Sequence, residues 1–227
     1  MKILITGGGS EEPIDTVRSI CNFSTGRTSA FLAEWLSQKG NQVTLLQAVR
    51  GKIPESNTNL TVKNYRTFKD LAESLKKECR TGNYDAVIHA AAVSDYSVKT
   101  IIVDEKEYSP DEIAKVPSGL DLTIKMKKNP KLVDSIKIWA KEGGKKRPLL
   151  IAFKLTSKAD LNERKQAVQK VFSSTGNLEL APDYVVSNDL TEITGEKHPC
   201  RIFKNDMTIP FQTEDLNGLA ATLETLI

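Results

Sequence analysis

The chain has 227 residues, 39% of them hydrophobic and 27% charged, the balance of a soluble globular protein with one large α/β domain or two small ones. A formal charge of +3 excludes a chain built to neutralise nucleic acid, although the lysine clusters KMKKNPK and KEGGKKR leave local anion attraction open beside the plainer reading of a solvated face. Cys21, Cys79 and Cys200 form no CxxC pair, so the thiols read as reduced and no disulfide or zinc framework is expected.

No apolar run approaches membrane-spanning length, and the first residues enter a strand with no leader pattern. The expected location is the cytoplasm, with neither membrane nor nucleic acid as a partner.

Lys2–Thr6 is an apolar run without alternation, as in a strand buried on both faces, and it runs into Gly7-Gly8-Gly9. No helix follows at once. A proline and a polar run lead instead to a second small-residue turn, Asn22-Phe23-Ser24-Thr25-Gly26. From Arg27 to Lys39, Phe31, Leu32, Trp35 and Leu36 share one side of a predicted helix that ends at Gly40. Gln42–Gln47 and Thr58–Tyr65 read as strands, TFKDLAESLKKECRTG as an amphipathic helix, and YDAVIHAAA as a third buried strand.

Lys99–Leu120 is polar, proline-punctuated and weakly periodic, the signature of a mobile functional loop or of disorder. DLTIKM resumes the strands, and NPKLVDSIKIWAKEGG predicts a helix opened by proline and closed by glycine. RPLLIAF and PDYVVSND read as strands flanking the helix ADLNERKQAVQKVF. CRIFKNDMTIPF predicts a hairpin turning at Asn205-Asp206, and TEDLNGLAATLETLI a final helix with Thr213 as N-cap. The alternation predicts an α/β fold: a Rossmann-like, mostly parallel sheet with helices on both faces, plus a C-terminal β-hairpin and a long mobile loop. Without repeats or a low-complexity linker, residues 1–227 read as a single domain with a flap at about 99–120.

A dinucleotide fingerprint needs G-x-G-x-x-G at the turn between strand and helix. Gly7 and Gly9 match, but Glu12 stands at the third place, where a carboxylate would face a pyrophosphate. A Walker A loop fails because no Gly-Lys-Ser/Thr follows, and Tyr96 and Lys99 are one residue too close for the Tyr-x-x-x-Lys pair of short-chain dehydrogenases. Glycine at positions 7–9 still lets backbone approach a ligand closely. Ser24-Thr25-Gly26 stands where the first helix must begin, which makes it either an anion site at the positive helix end or an ordinary cap.

The run GGGSEEPIDTVRSICNFSTGR resembles the opening of phosphopantothenoylcysteine synthetase, the phosphopantothenate–cysteine ligase half of the DNA/pantothenate metabolism flavoprotein family. That family carries a Gly-rich turn, Glu-Pro-(Ile/Leu)-Asp, Val-Arg, then Ser-Asn-x-Ser-Ser/Thr-Gly. The resemblance continues through AAAVSDY, LTIKMKKNP, IAFKLTS and VVSND, in order along nearly the whole chain. Many bacterial members carry a flavin-dependent decarboxylase ahead of the ligase; this chain is too short for it, which implies a free-standing bacterial form without flavin.

The resemblance implies coenzyme A biosynthesis: 4′-phosphopantothenate is activated by a nucleoside triphosphate, CTP with ATP as the other option, on Mg2+, and the acyl nucleotidylate is then captured by L-cysteine. It implies a homodimer and contact with a separate phosphopantothenoylcysteine decarboxylase. Carried over residue by residue, Asn22 would hold the acyl intermediate and Lys115 would be the flap lysine. Gly8, Gly9, Ser24, Thr25, Gly26 and Arg27 would form the phosphate turns, with Ala91, Ala92 and Asp95 as nucleotide contacts at a strand end. Asn129, Pro130, Lys131 and Leu132 would read the base through their backbone, and Phe153 would line its pocket. Lys165 or Lys170 would meet the triphosphate, and Asn188 closes a further strand end. No residue is assigned to a metal.

Each residue also has a plainer reading: Asn22 as a turn former, Asp95 as a helix cap, Phe153 as core, the lysines as surface. The sequence departs from the family pattern where Glu11 replaces a cation, Cys21 a serine and Arg27 a lysine. Cys21 lacks a nearby histidine for a dyad, His89 and His198 read as structural, and Glu11, Glu12 and Asp15 as loop-fixing or dimer contacts. Two other functions stay open, an NAD(P)-dependent reductase on the same fold and a nucleotide-binding protein without catalysis.

Overall fold

The computed structural model describes residues 1–110, 112, 114–195 and 197–227. The chain opens with β1 (Lys2–Gly7), passes through a short antiparallel pair, β2 (Glu11–Pro13) and β3 (Ser19–Cys21), and enters α1 (Arg27–Gln38). β4 (Gln42–Ala48) and β5 (Leu60–Tyr65) precede α2 (Phe68–Thr81), which β6 (Ala86–His89) follows. Next come β7 (Tyr96–Val103), β8 (Lys106–Tyr108) and β9 (Leu122–Lys128), then a 3-10 turn over Leu132–Ser135 and α3 (Ile136–Glu142). The chain closes with β10 (Leu149–Thr156), α4 (Leu161–Ser173), β11 (Tyr184–Asp189), β12 (Cys200–Lys204), β13 (Phe211–Thr213) and α5 (Leu216–Leu226).

Eight strands form the central sheet in the order β13-β12-β11-β10-β6-β1-β4-β5, parallel except for the antiparallel pairings of β12 with β11 and β13. From β1 the chain moves outward through β4 and β5, then returns to the other side of β1 with β6, β10 and β11. The order therefore reverses between β1 and β6. In open α/β sheets, ligands bind beyond the carboxyl ends of the strands at such a reversal.

Both faces of the sheet are covered because the central strands are apolar at consecutive positions. Ile3, Ile5 and Ile88 pack with Leu32 and Leu36 of α1 and Leu219 and Leu223 of α5. On the opposite face Leu4, Val87 and Leu150 pack with Leu71 and Leu75 of α2 and Ile136 of α3. Ala152 and Val185 meet Val168 and Phe172 of α4. Each such Leu, Ile or Phe side chain contributes about 1.5–3 kcal/mol by leaving water. α2 starts on a complete capping box, Thr67 Oγ1 accepting from the Asp70 N–H while the Asp70 carboxylate accepts from the Thr67 N–H.

The structure departs from the sequence reading in four places. Residues 99–108 hold most of β7 and all of β8, joined through Asp104 and Glu105 at positive φ; Val98, Ile101 and Val103 supply the buried positions, offset by a bulge between Val98 and Thr100. β9 does not rejoin the central sheet but pairs antiparallel with β7 in a separate sheet, β8-β7-β9. Pro130 does not open α3, since the 3-10 turn intervenes. Thr213 lies in β13, and Asp215 caps α5 by accepting from the Gly218 N–H at 2.8 Å. A carboxylate two residues nearer the helix wins because Thr213 is held in register opposite Cys200.

Asp15, in the turn between β2 and β3, ties that turn to the segment between β8 and β9. Its Oδ1 accepts from the N–H groups of Val17 (2.8 Å) and Arg18 (2.7 Å), and its Oδ2 from Val116 (2.9 Å). The hydrogen bond from Val116 comes first among the causes that hold the Asp15 carboxyl below the usual aspartate range, against burial. A lowered folded-state pKa adds stability that is full above the unfolded value of about 4 and vanishes as pH falls through the folded value. Asp15→Ala should therefore melt below wild type at pH 7, and the gap should narrow once pH drops under about 4. A gap of equal size at pH 3 and pH 7 in thermal denaturation would refute this role for the ionised carboxylate.

Candidate active site

The glycine turn after β1 is held by the end of β6. Ala92 N–H donates to Gly8 O at 2.9 Å, and Ser10 N–H donates to Ala92 O at 3.2 Å. Gly8 has φ 81°, which favours glycine. At Gly9 a Cβ would stand 2.2 Å from the carbonyl oxygen of Asn22, so the chain after β3 lies directly against the turn. Asn22 is exposed, and its Nδ2 makes only a long contact, 3.3 Å, to Ala92 O. Tyr65 completes the frame by donating its hydroxyl to Gly7 O at 3.0 Å; burial raises its pKa and keeps it a donor.

α1 begins beside this cradle. Its N-cap is Gly26, in the left-handed region at φ 64°, and no side chain caps it. Neither Ser24 nor Thr25 serves as the ordinary cap, and Thr25 Oγ1 only accepts a long 3.4 Å contact from the Arg27 N–H. The Arg27 guanidinium donates to Gly195 O at 3.1 Å. Nearby, Asn188 Nδ2 lies 3.1 Å from His198 Nε2; burial first, then the Arg27 charge, pushes the His198 pKa down.

A groove of about 480 Å³ adjoins the cradle on the face of the sheet that carries α3 and α4. Its walls include Ala91 and Asp95 from the loop after β6, and Pro130, Lys131 and Leu132 ahead of α3. Phe153 and Lys154 of β10 and the α4 residues Glu163, Gln166, Ala167 and Lys170 complete it. The spacing 163, 166, 167 and 170 is one helical stripe, so Lys170 reaches the groove. Lys165 lies off that stripe, exposed and outside the groove lining. Ala91 and Ala92 are where groove and cradle meet.

Other expected residues take different places. Asn129 does not line the groove: its Oδ1 accepts from Ser97 Oγ (2.9 Å) and its Nδ2 donates to Ser94 O (3.0 Å). Asp95 is paired with Lys131, and both are exposed. Lys115 is exposed and outside the groove lining, between Ala114, whose carbonyl accepts from the Thr16 N–H at 3.2 Å, and Val116, which is bound to Asp15. Tyr96 and Lys99 stand on strand β7, not on a helix face, which removes the geometry a reductase pair would need.

The DNA/pantothenate metabolism flavoprotein C-terminal domain family matches residues 1–224. The chain belongs to this family. Among curated relatives, the coenzyme A biosynthesis bifunctional protein CoaBC of Thermococcus kodakarensis is 28% identical over 199 residues, covering 87% of this chain and 43% of that protein. CoaBC of Escherichia coli K12 is 27% identical, covering 96% of this chain and 50% of its own length. The chain thus spans about half the length of the curated relatives it matches. The crystal structure of the DNA/pantothenate metabolism flavoprotein from Streptococcus pneumoniae superposes with a TM-score of 0.84 at 26% identity, covering 100% of this chain and 97% of that one. Cab2 H337A, solved in complex with phosphopantothenate-cysteine, shares the fold with a TM-score of 0.73 at 16% identity, covering 99% of this chain and 85% of its own.

Against the family pattern, Glu11 stands where a cation is expected, and the structure brings cations to it. Glu11 is buried and pairs with the Nε atoms of Arg50 (2.7 Å) and Arg66 (3.0 Å), which follow β4 and β5. No motif marks these arginines, because each stands alone in its stretch. No motif marks His89 and Lys154 as groove residues either. The signal that finds them is the two-residue period of β6 and β10, which puts both on one face.

Gly9→Ala forces a methyl group onto a backbone carbonyl, and should cost about 1–3 kcal/mol of stability in chemical denaturation. Gly195→Ala meets nothing within 4 Å among the described residues and should stay within about 0.5 kcal/mol of wild type. Equal stabilities for the two variants would show that the turn does not pack as described.

Proposed function

We propose that this chain carries out the ligase step of coenzyme A biosynthesis, joining 4′-phosphopantothenate to L-cysteine at the expense of a nucleoside triphosphate, CTP in the first instance. The observation that carries the reading is the junction at Ala91–Ala92, where a backbone cradle and a cation-lined groove meet at the reversal of the sheet. Membership of the family and the phosphopantothenate-cysteine bound to Cab2 support the same chemistry.

In the first step a carboxylate oxygen of 4′-phosphopantothenate attacks the α-phosphorus of CTP. A P–O bond forms and pyrophosphate leaves with the electron pair. In the second, the amine of cysteine attacks the acyl carbon, the amine loses a proton, and CMP leaves. Both steps need alignment and charge stabilisation more than a protein nucleophile. We assign the groove to the nucleotide, with the backbone of 130–132 facing the base, Phe153 and Asp95 beside it, and Lys170 near the phosphates. The uncapped start of α1, with Ser24, Thr25 and Arg27, is suited to phosphate by its unpaired N–H groups and dipole. Gly8 and Gly9 would let the acyl nucleotidylate lie against backbone. Asn22, exposed and weakly engaged, has an N–H to give to the acyl oxygen in the second step.

Among the described residues, no group of three or more His, Cys, Asp or Glu stands close enough to hold a metal ion. Mg2+ would arrive on the triphosphate as part of the substrate. No helix among the described residues is long and apolar enough to cross a membrane. We place the ligase in the cytoplasm because its substrates are small and polar. We further propose a homodimer, with Lys115 acting from the 99–120 segment and with a decarboxylase as a separate partner. Residues 1–227 would act as one ligase domain.

The test is an assay with 4′-phosphopantothenate, cysteine, Mg2+ and either CTP or ATP. Pyrophosphate and the nucleoside monophosphate should appear only when phosphopantothenate is present. Asn22→Ala should lower amide formation by about 10²–10³, the range for loss of an oxyanion donor, and acyl nucleotidylate should accumulate. Turnover of this variant at the wild-type rate would remove Asn22 from the mechanism, and wild type that releases no pyrophosphate would remove the ligase.

A further inference from the structure

Two side chains on the floor of the groove have unused hydrogen-bonding capacity. His89 ends β6 and is 8% exposed. Its Nδ1 lies 2.8 Å from Thr6 Oγ1 on β1, while its register partner on the other side is Ala152 of β10. The opposite ring edge, carrying Nε2, therefore faces β10 and the groove that His89 lines. Among the described residues Nε2 has no hydrogen-bond partner.

Proton bookkeeping decides which nitrogen carries the hydrogen. Thr6 is fully buried, and its Oγ1 already accepts from the Ala91 N–H at 3.3 Å. Among the described residues its hydroxyl proton has no acceptor except His89 Nδ1. Leaving that proton unpaired in the core would cost about 1–3 kcal/mol, so the hydroxyl donates to Nδ1 and the ring hydrogen sits on Nε2. Burial pushes the His89 pKa down to about 4, so the ring is a neutral donor at physiological pH.

Lys154 stands two residues beyond Ala152 on β10 and so projects from the same face as His89. It is half-buried in the groove and makes no ion pair or hydrogen bond among the described residues. Of the other charged groups lining the groove, Lys131 is paired with Asp95, and the Glu163 carboxylate accepts from the Asp160 N–H at 2.9 Å while keeping its charge.

We propose that the His89 Nε2–H and the Lys154 ammonium form a two-donor subsite for a phosphoryl group of the nucleotide bound in the groove. This rests on the nucleotide reading above. Lysine supplies the charge, and neutral histidine supplies direction without a second positive charge to repel it. A base carbonyl could accept from either donor, but a phosphoryl group offers several oxygens and a negative charge for the ammonium.

The experiment is calorimetric titration of the full chain with CTP, CMP, cytidine and inorganic pyrophosphate. Wild type is compared with His89→Gln, which keeps a donor at the Nε2 position, His89→Leu and Lys154→Met. His89→Leu should weaken CTP and pyrophosphate about five- to tenfold and Lys154→Met tenfold or more, with cytidine unchanged and His89→Gln within about threefold of wild type. Nitrogen-15 spectra of the histidine rings give a readout independent of binding and of any poorly folded variant. The chain has 2 histidines, so His89→Gln assigns the signals, and the Nε2–H tautomer is expected in free wild type. The Nδ1–H tautomer would overturn the proposal, as would equal losses for cytidine and CTP, which would point to the base. If CTP binds all variants like wild type, the subsite fails and the nucleotide reading stands. If pyrophosphate binds through His89 and Lys154 while CTP does not bind, the subsite stands and the nucleotide reading fails.

Discussion

Everything at the carboxyl edge of the sheet depends on the parallel pairing of β1 with β6. The register sets Thr6 beside His89, and two backbone hydrogen bonds carry the pairing past the strand ends, from Ala92 to Gly8 and from Ser10 to Ala92. Because the strand order reverses at this pair, the connections leaving β1 and β6 diverge and open a crevice between them. Small residues are required on both sides. Gly9 admits the Asn22 carbonyl, and Ala91 and Ala92 let the cradle and the groove share one wall.

Charge around the crevice is arranged for position more than for stability. The Asp95–Lys131, Arg50–Glu11 and Arg66–Glu11 pairs each expose at least one partner, and exposed pairs contribute about 0–1 kcal/mol. Glu11 differs because its own carboxylate is buried. It fixes the Nε ends of Arg50 and Arg66 beside the short β2–β3 pair. In the groove, Lys131 is paired with Asp95 and the Glu163 carboxylate is held by the α4 capping box, while Lys154 and Lys170 make no ion pair among the described residues.

The small sheet β8-β7-β9 shows how a segment without strong periodicity can still be ordered. Val98, Ile101 and Val103 pack with Ile14 and Val116, and the Asp15 carboxylate holds the chain at Val116. Lys115 is thereby tethered on its C-terminal side to the β2–β3 turn, which leads back to Asn22. The two residues given active roles in the ligase reading, Asn22 and Lys115, are thus linked through one short stretch of backbone.

The sequence by itself determined the α/β class, the five helices, the strands of the parallel sheet and both small-residue turns. Those features are local, written in apolar runs, helical periodicity and glycine placement. It also determined the family, because ordered motifs survive without any knowledge of contacts. Only the tertiary structure decided that β9 leaves the main sheet, since a strand's partner is chosen by packing of distant chain, here Ile14 and Val116. Only it decided that Lys170 and not Lys165 reaches the groove, which turns on the helix's rotation against β10. The same holds for Asp215 displacing Thr213 as a cap and for the proton on His89. Each is set by a neighbour far along the chain, and no spacing within the segment records it.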